Sequence, residues 1–222
     1  MSNIGITPNH PIKKRIILQP ISKLALKVFN WDIVGTLPDK KRIILTAIPH
    51  TAIADSWYAF FVCFSLNLKF HFLASVAIFT RISLPWSNKM KPNLDKHGFL
   101  HPFSGIQKKL LKNMGGIAVY QSKEIGVTDQ VIDELSKLDS FILYLTVEGS
   151  WLGDNKIKSG FHYIGKALNA TIVPTKIDYK NRNHELLEPF ELTDDVEKDI
   201  DNLAKLFNGV VGKNSKIGRA HV

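Results

Sequence analysis

His50 and Asp55 stand five positions apart in AIPHTAIADSWYAFF (47–61), just after a strand-like run, RIILTAI (42–48), that ends at Pro49. If a helix begins near Ala52 or Ile53, Asp55 lies in its first turns, where backbone N–H groups and the helix dipole favour a carboxylate. A histidine in the preceding loop can then fold back so that Asp55 accepts a hydrogen bond from one ring nitrogen. The other nitrogen keeps its lone pair outward, ready to take a proton. This is a base with its orienting partner and no nucleophile of its own, so the hydroxyl it activates belongs to a substrate. Taken alone, the spacing also fits ordinary surface or core decoration.

Three further stretches place polar or small residues at strand ends. GGIAVYQSK (115–123) sets two glycines before a short strand that ends in Gln121 and Lys123. TVEGSWLG (146–153) closes a buried strand in the turn Glu148-Gly149-Ser150. The glutamate there reads either as a turn or cap residue or as a carboxylate that holds a substrate hydroxyl or positions a loop. IVPT (172–175) puts Pro174 inside a strand-like run, which predicts an edge or irregular strand lining a site.

The elements that must position these residues alternate. Strands are predicted over 41–48, 69–75, 116–120, 141–147 and 171–177, and helices over 53–66, 104–114, 125–138 and 159–169. Strands alternating with helices imply a single-domain α/β fold with a mostly parallel central sheet flanked by helices. Ligands gather at the carboxyl ends of such strands, and His50 and Glu148 each stand just after one. Residues 1–30 form a basic N-terminal segment, PIKKRIILQPISKLALKVFN at 11–30, with Lys and Arg interleaved among Ile, Leu and Phe. It reads as an amphipathic helix, either facing anionic lipid or packed on the core. The main domain is expected over 31–207, and 208–222, ending KNSKIGRAHV, as a disordered tail.

The whole chain sets the partners. Its 222 residues are 45% hydrophobic and carry a formal net charge of +9, enough for one sizeable core and suited to an anionic partner. Nucleic acid is disfavoured, because the charge is spread (KKR at 13–15, KKR at 40–42, KK at 108–109) and no binding module appears. Cys63 is the only cysteine and sits in an apolar run, which excludes a disulfide frame and cysteine metal sites. His97 and His101 (HGFLH) lack a helical His-Glu-x-x-His frame, so no metal is expected. No apolar run reaches the ~18 residues of a confident transmembrane helix, and no signal peptide is read. The expectation is a cytoplasmic protein, peripheral on the inner face of a membrane. A lipid esterase would need Gly-x-Ser-x-Gly, and GSWLG (149–153) has its serine one place early.

In order along the chain, His-x-x-x-x-Asp (50–55), Gly-Gly-Ile-x-Val (115–119), Val-Glu-Gly-Ser (147–150) and Ile-Val-Pro (172–174) resemble the four-block pattern of the glycerolipid acyltransferases, the 1-acylglycerol-3-phosphate type among them. WDIVGTLP (31–38) resembles the lead-in of short bacterial members, and KSGF (158–161) their stretch after the third block. The resemblance covers roughly residues 30–207. It implies transfer of a fatty acyl group from acyl-coenzyme A or acyl carrier protein, as co-substrate, to the hydroxyl of a lysophospholipid or related lipid. No cofactor is implied. His50 would be the general base and Asp55 its partner. Glu148, Gly149, Ser150, Gly116, Gln121, Lys123, Lys158 and Pro174 would hold substrate, and Trp57, Phe60 and Phe61 would contact the acyl chain or membrane. The backbone at Gly115-Gly116 or Glu148–Ser150 would supply oxyanion donors. Where phosphate-binding members carry two arginines, this chain has Gln121 and Trp151. Neither replacement carries charge. That leaves open an acceptor without phosphate, or a catalytically impaired lipid-binding relative.

Overall fold

RIILTAI becomes the central strand because both of its faces are covered, as expected for near-continuous apolar strands in a parallel sheet. The structure, a computed structural model, describes residues 4–50, 52–82, 99–100, 102–120, 126–148 and 156–213. Its helices are α1 (Leu18–Val28), α2 (Ile53–Ser65), α3 (Val76–Thr80), α4 (Ser104–Met114), α5 (Val127–Ser136), α6 (Gly160–Leu168) and α7 (Val196–Leu206). Its strands are β1 (Asp32–Gly35), β2 (Arg42–Ile48), β3 (Phe70–Ser75), β4 (Arg81–Ile82), β5 (Phe99–Leu100), β6 (Gly116–Val119), β7 (Phe141–Thr146), β8 (Thr171–Asp178) and β9 (Asn183–Leu186). Seven strands form one sheet in the order β1-β9-β8-β2-β7-β3-β6. All neighbours run parallel except β8 and β9, which form a hairpin around Asp178, whose carboxylate accepts from the Lys180 and Asn181 amides. The expected α/β class is the fold observed.

Alternation along β2 divides the core. Ile43, Leu45 and Ala47 face α1 and α2, meeting Leu26, Ala59, Val62 and Cys63. Ile44 and Ile48 face α5, α6 and α7, meeting Val131, Leu135, Phe161, Ile164 and Leu203. The α2 crossover from β2 to β3 therefore lies on one face and the α6 crossover from β7 to β8 on the other. The carboxyl ends of β2 and β7 are thus a topological switch point, the place where such sheets bind ligands.

The N-terminal segment packs on this core, and α1 also keeps an apolar face outward. Ser22 and Leu26 are its buried positions, while Ile17, Ile21, Leu24 and Val28 are exposed. Ile12 bridges to Leu68, and the Lys69 amide donates to Pro11 O at 2.8 Å. At the other end Val210 is buried and the Tyr179 amide donates to Val211 O at 3.0 Å. Burial thus continues to Gly212, past the boundary expected at 207; residues 214–222 lie outside the described residues.

Pro174 is not on an edge. β8 lies between β9 and β2, and Pro174 pairs with Thr46. Its carbonyl accepts from the Leu187 amide at 2.9 Å, just past the last β8–β9 pair, Thr175 with Leu186. The missing N–H faces that same side, where the ladder has ended, so the sheet loses no bond to β2.

Three isolated histidines, expected to be structural, are buried or half-buried. His162 Nδ1 lies 2.9 Å from Asp199 Oδ2, tying α6 to α7, and Asp199 also accepts from the Thr193 amide and hydroxyl. His71 is half-buried, and burial lowers its pKa. His184 is fully buried, with Nε2 at 3.2 Å from the Tyr144 hydroxyl, and burial pushes its pKa down to about 4.

His184 makes stability pH-dependent. The folded imidazole stays neutral, while the unfolded one takes up a proton below about pH 6.5, so stability falls with pH and the loss is complete below the folded value of about 4. Urea unfolding is expected to give about 2 kcal/mol less stability from this group at pH 5 than at pH 7. His71 acts in the same direction and Glu148, whose pKa is raised, in the opposite one. The difference in pH slope between wild type and His184→Gln isolates the effect, and equal slopes would refute it.

Candidate active site

β2 ends in Ile48, a cis peptide bond leads to Pro49, and His50 follows at the carboxyl end of the strand. α2 starts at Ile53, and Asp55 stabilises that start. Its Oδ2 accepts from the Ala52 amide at 2.8 Å, and its own amide donates to Ala52 O at 3.0 Å. Ala52 has no capping side chain, so this carboxylate reaching back is what side-chain capping the helix has there. A second donor fixes the other oxygen: the Tyr179 hydroxyl donates to Oδ1 at 2.5 Å. Asp55 is 1% exposed and held from both sides.

His50 Nδ1 lies 3.5 Å from Asp55 Oδ2. This is an ion-pair contact longer than a formed hydrogen bond, and Nδ1 is buried with no closer partner. Such bonds in ligand-free sites often tighten only when substrate binds. With the carboxylate as neighbour, the favoured tautomer carries its proton on Nδ1. The side chain keeps 10% exposure, which lies away from buried Nδ1. Nε2 is therefore the nitrogen available to take a proton.

Glu148 enters from the carboxyl end of β7, beside β2. Its Oε2 accepts from the His50 backbone amide at 2.6 Å. That bond holds the loop at His50 to the end of β7. Burial raises its pKa, partly offset by the His50 amide and ring. Burial, and then the bond to Asp55, raise that of Tyr179. Tyr179 follows β8, so the carboxyl ends of three adjacent strands, β8, β2 and β7, build the cluster.

Tyr179 is the residue that the sequence reading missed. The available signal was its position just past the strand predicted over 171–177; that this strand lies beside the His50 strand is seen only in the structure. Its ring packs edge-on against Trp31 at 5.0 Å, and Trp31 stacks on Tyr58 at 4.0 Å. The Trp31 of the WDIVGTLP stretch thus braces the tyrosine that holds Asp55.

Other expected residues fall into three groups. Lys158 is exposed, and its amide donates to Val147 O at 2.8 Å, which brings it beside the Glu148 turn. Gly116 is not brought to His50: it aligns through Phe72 and Tyr144 with Leu45, five residues before His50, or about 16 Å along a strand. The two glycines answer to packing. Gly115 has φ +105° at the end of α4, and a Cβ there would meet Phe70 O at 1.9 Å. Its amide donates to Lys112 O, so it is already engaged. Gly149, Ser150, Gln121, Lys123 and Trp151 lie outside the described residues, as do His97 and His101.

The aromatic wall divides as well. Phe60 and Phe61 are half-buried against the first core cluster, Phe60 with its ring centroid 4.8 Å from that of Phe72. Trp57 is 55% exposed. Among the described residues no cluster of histidine, cysteine and carboxylate side chains is arranged to hold a metal ion, and no helix is long and apolar enough to cross a membrane.

No protein-family model matches this chain, and no curated protein matches its sequence. Among solved structures it superposes on the 1-acyl-sn-glycerophosphate (LPA) acyltransferase PlsC from Thermotoga maritima, with a TM-score of 0.51 and 14% identity over 85% of this chain and 74% of that one. What the two share at that identity is the framework: this chain has the fold of the LPA acyltransferase PlsC.

Proposed function

We propose that the chain is an acyltransferase that moves a fatty acyl group from a thioester to the hydroxyl of a lipid acceptor. The observation that carries this reading is the His50–Asp55 pair, with Glu148 on the His50 amide and Tyr179 on Asp55, at the strand ends of a fold shared with an LPA acyltransferase. His50 Nε2 takes the acceptor's hydroxyl proton as that oxygen attacks the thioester carbonyl. The tetrahedral intermediate then collapses, the C–S bond breaks, and the imidazolium returns the proton to the leaving thiolate. Asp55 stabilises the imidazolium between the two steps. No acyl-enzyme forms and no cofactor takes part. The donor is acyl-coenzyme A or acyl carrier protein.

Lys158 and its neighbour Lys156 supply positive charge for an acceptor headgroup, in place of the arginines replaced by Gln121 and Trp151. The lipid side of the reaction fits a peripheral enzyme on an anionic membrane surface. In α1, Leu24 is 61% and Val28 69% exposed, beside Lys23 and Lys27, and Ile16 and Ile17 just before it are 90% and 70% exposed. Such a helix lies in the interface plane.

The test is thiol release from long-chain acyl-coenzyme A, with acyl carrier protein as a parallel donor. Lysophosphatidate, uncharged lipid alcohols and ornithine-type lysolipids serve as acceptors. Acceptor-dependent release is expected, and the responding acceptor defines what Gln121 and Trp151 recognise. Lipid binding without turnover of any pair would overturn the catalytic reading in favour of a lipid-binding protein, which the two missing arginines favour.

A further inference from the structure

α4 has no buried residue, unusual for a helix packed on a core. It touches the first cluster through half-buried Leu111 and Met114, and Gln107 donates to Ile78 O at 2.6 Å. At 100° per residue, Phe103, Ile106 and Leu110 fall within about 60° of one another, on the arc next to that of Met114 and Leu111. They are 65%, 67% and 58% exposed, a ridge of three large apolar side chains that no hydrophobic cluster of the described residues takes in. Lys108, Lys109 and Lys112 share the helix, and no acid occurs in the sequence between Asp95 and Glu124.

The ridge adjoins the N-terminal segment. Lys13 Nζ donates to Asn113 O at 2.8 Å, in the last turn of α4. Ile12, 50% exposed, and Ile16, 90% exposed, flank that lysine in sequence. No acid precedes Asp32 either. The wider charge distribution agrees: residues 1–120 hold sixteen Lys and Arg against four Asp and Glu, and residues 121–222 thirteen against sixteen. Apolar side chains set among lysines without a single carboxylate complement an anionic bilayer, whose acyl boundary takes the ridge while its headgroups meet the lysines.

From this we infer that α4 is a second membrane-docking element, which seats Phe103, Ile106 and Leu110 in the surface of an anionic bilayer. This deepens the membrane-surface part of the reading above, and its test reads α4 apart from α1 and apart from the chemistry. With two anchors on one sheet edge and one sheet face, the chain is held in one orientation rather than pivoting about α1. An acidic carrier protein or a second copy of the chain are the competing occupants. The continuity with the apolar N-terminal segment favours the bilayer over both.

The experiment uses an environment-sensitive fluorophore on Ile106→Cys and, separately, on Leu24→Cys. Cys63 is buried, with its thiol pKa pushed up to about 12, so labelling goes to the introduced thiol. Phosphatidylglycerol–phosphatidylethanolamine vesicles are expected to shift the Ile106→Cys probe to the blue. Pure phosphatidylcholine vesicles, or high salt, should shift it far less. Phe103→Ser/Ile106→Ser/Leu110→Ser should partition onto the anionic vesicles about tenfold more weakly, with unchanged far-UV circular dichroism and melting temperature. A silent Ile106→Cys probe beside a responsive Leu24→Cys probe overturns the inference and leaves docking to α1. A response to acyl carrier protein, or to protein concentration alone, with none to vesicles, gives the ridge to another occupant and also overturns it. Silence of both probes sinks the membrane-surface reading as well, whatever the thiol-release assay shows.

Discussion

His50→Ala is expected to lower acceptor-dependent thiol release by ~10²–10⁴-fold in kcat/KM, the range of a general base. The loss should fall on kcat, with KM little changed, because the imidazole takes its proton only as the acceptor oxygen attacks. The substitution should be mild for the fold. His50 makes its hydrogen bond to Glu148 through the backbone amide, which alanine retains, and its ring is not part of either hydrophobic cluster. A melting curve near wild type beside the lost turnover separates chemistry from unfolding. Wild-type turnover in His50→Ala would mean that another group takes the proton, and the assignment of the base would fall.

The second large effect belongs to Asp55, tested against Tyr179. Asp55→Asn keeps an oxygen for the Ala52 amide but removes the charge facing Nδ1. The expected loss reaches about 10⁴-fold, the scale seen when the carboxylate of a Ser-His-Asp triad is neutralised. Tyr179→Phe removes one hydrogen bond to a charged group, worth about 1.5–3 kcal/mol, and should cost roughly 10–100-fold at most. The two are tested together: in an Asp55→Asn background, Tyr179→Phe should cost almost nothing further. A full additional loss in the double variant would contradict the view that Tyr179 acts through Asp55.

Much of this site was legible because its parts are local. The strands and helices over 41–48, 53–66, 69–75 and 104–114 come from periodicity and turn chemistry, and they appear within a residue or so of their expected ends. His50 and Asp55 were readable because one short strand-to-helix turn relates them. β1, β9 and α7 were not read. β1 and β9 are four residues each and owe their existence to pairing with each other and with β8, while α7, with many charges, owes its place to the buried Asp199 and Leu203. Tyr179 and Asp55 lie 124 residues apart, and no local pattern marks that contact. Pro174 misled for a related reason: a proline excludes a donor on one side of a strand, and only the register shows which side was already free.

Glu148 grips the chain at His50 through the main chain, and that grip is indifferent to the side chain at position 50. A variant lacking the imidazole should therefore still present an intact cleft, with Asp55, Tyr179 and the strand ends in their working places. Such a protein would admit donor and acceptor together and leave both unconsumed. It is the form to crystallise, since the thioester and the lipid would be caught side by side in the pose that precedes transfer.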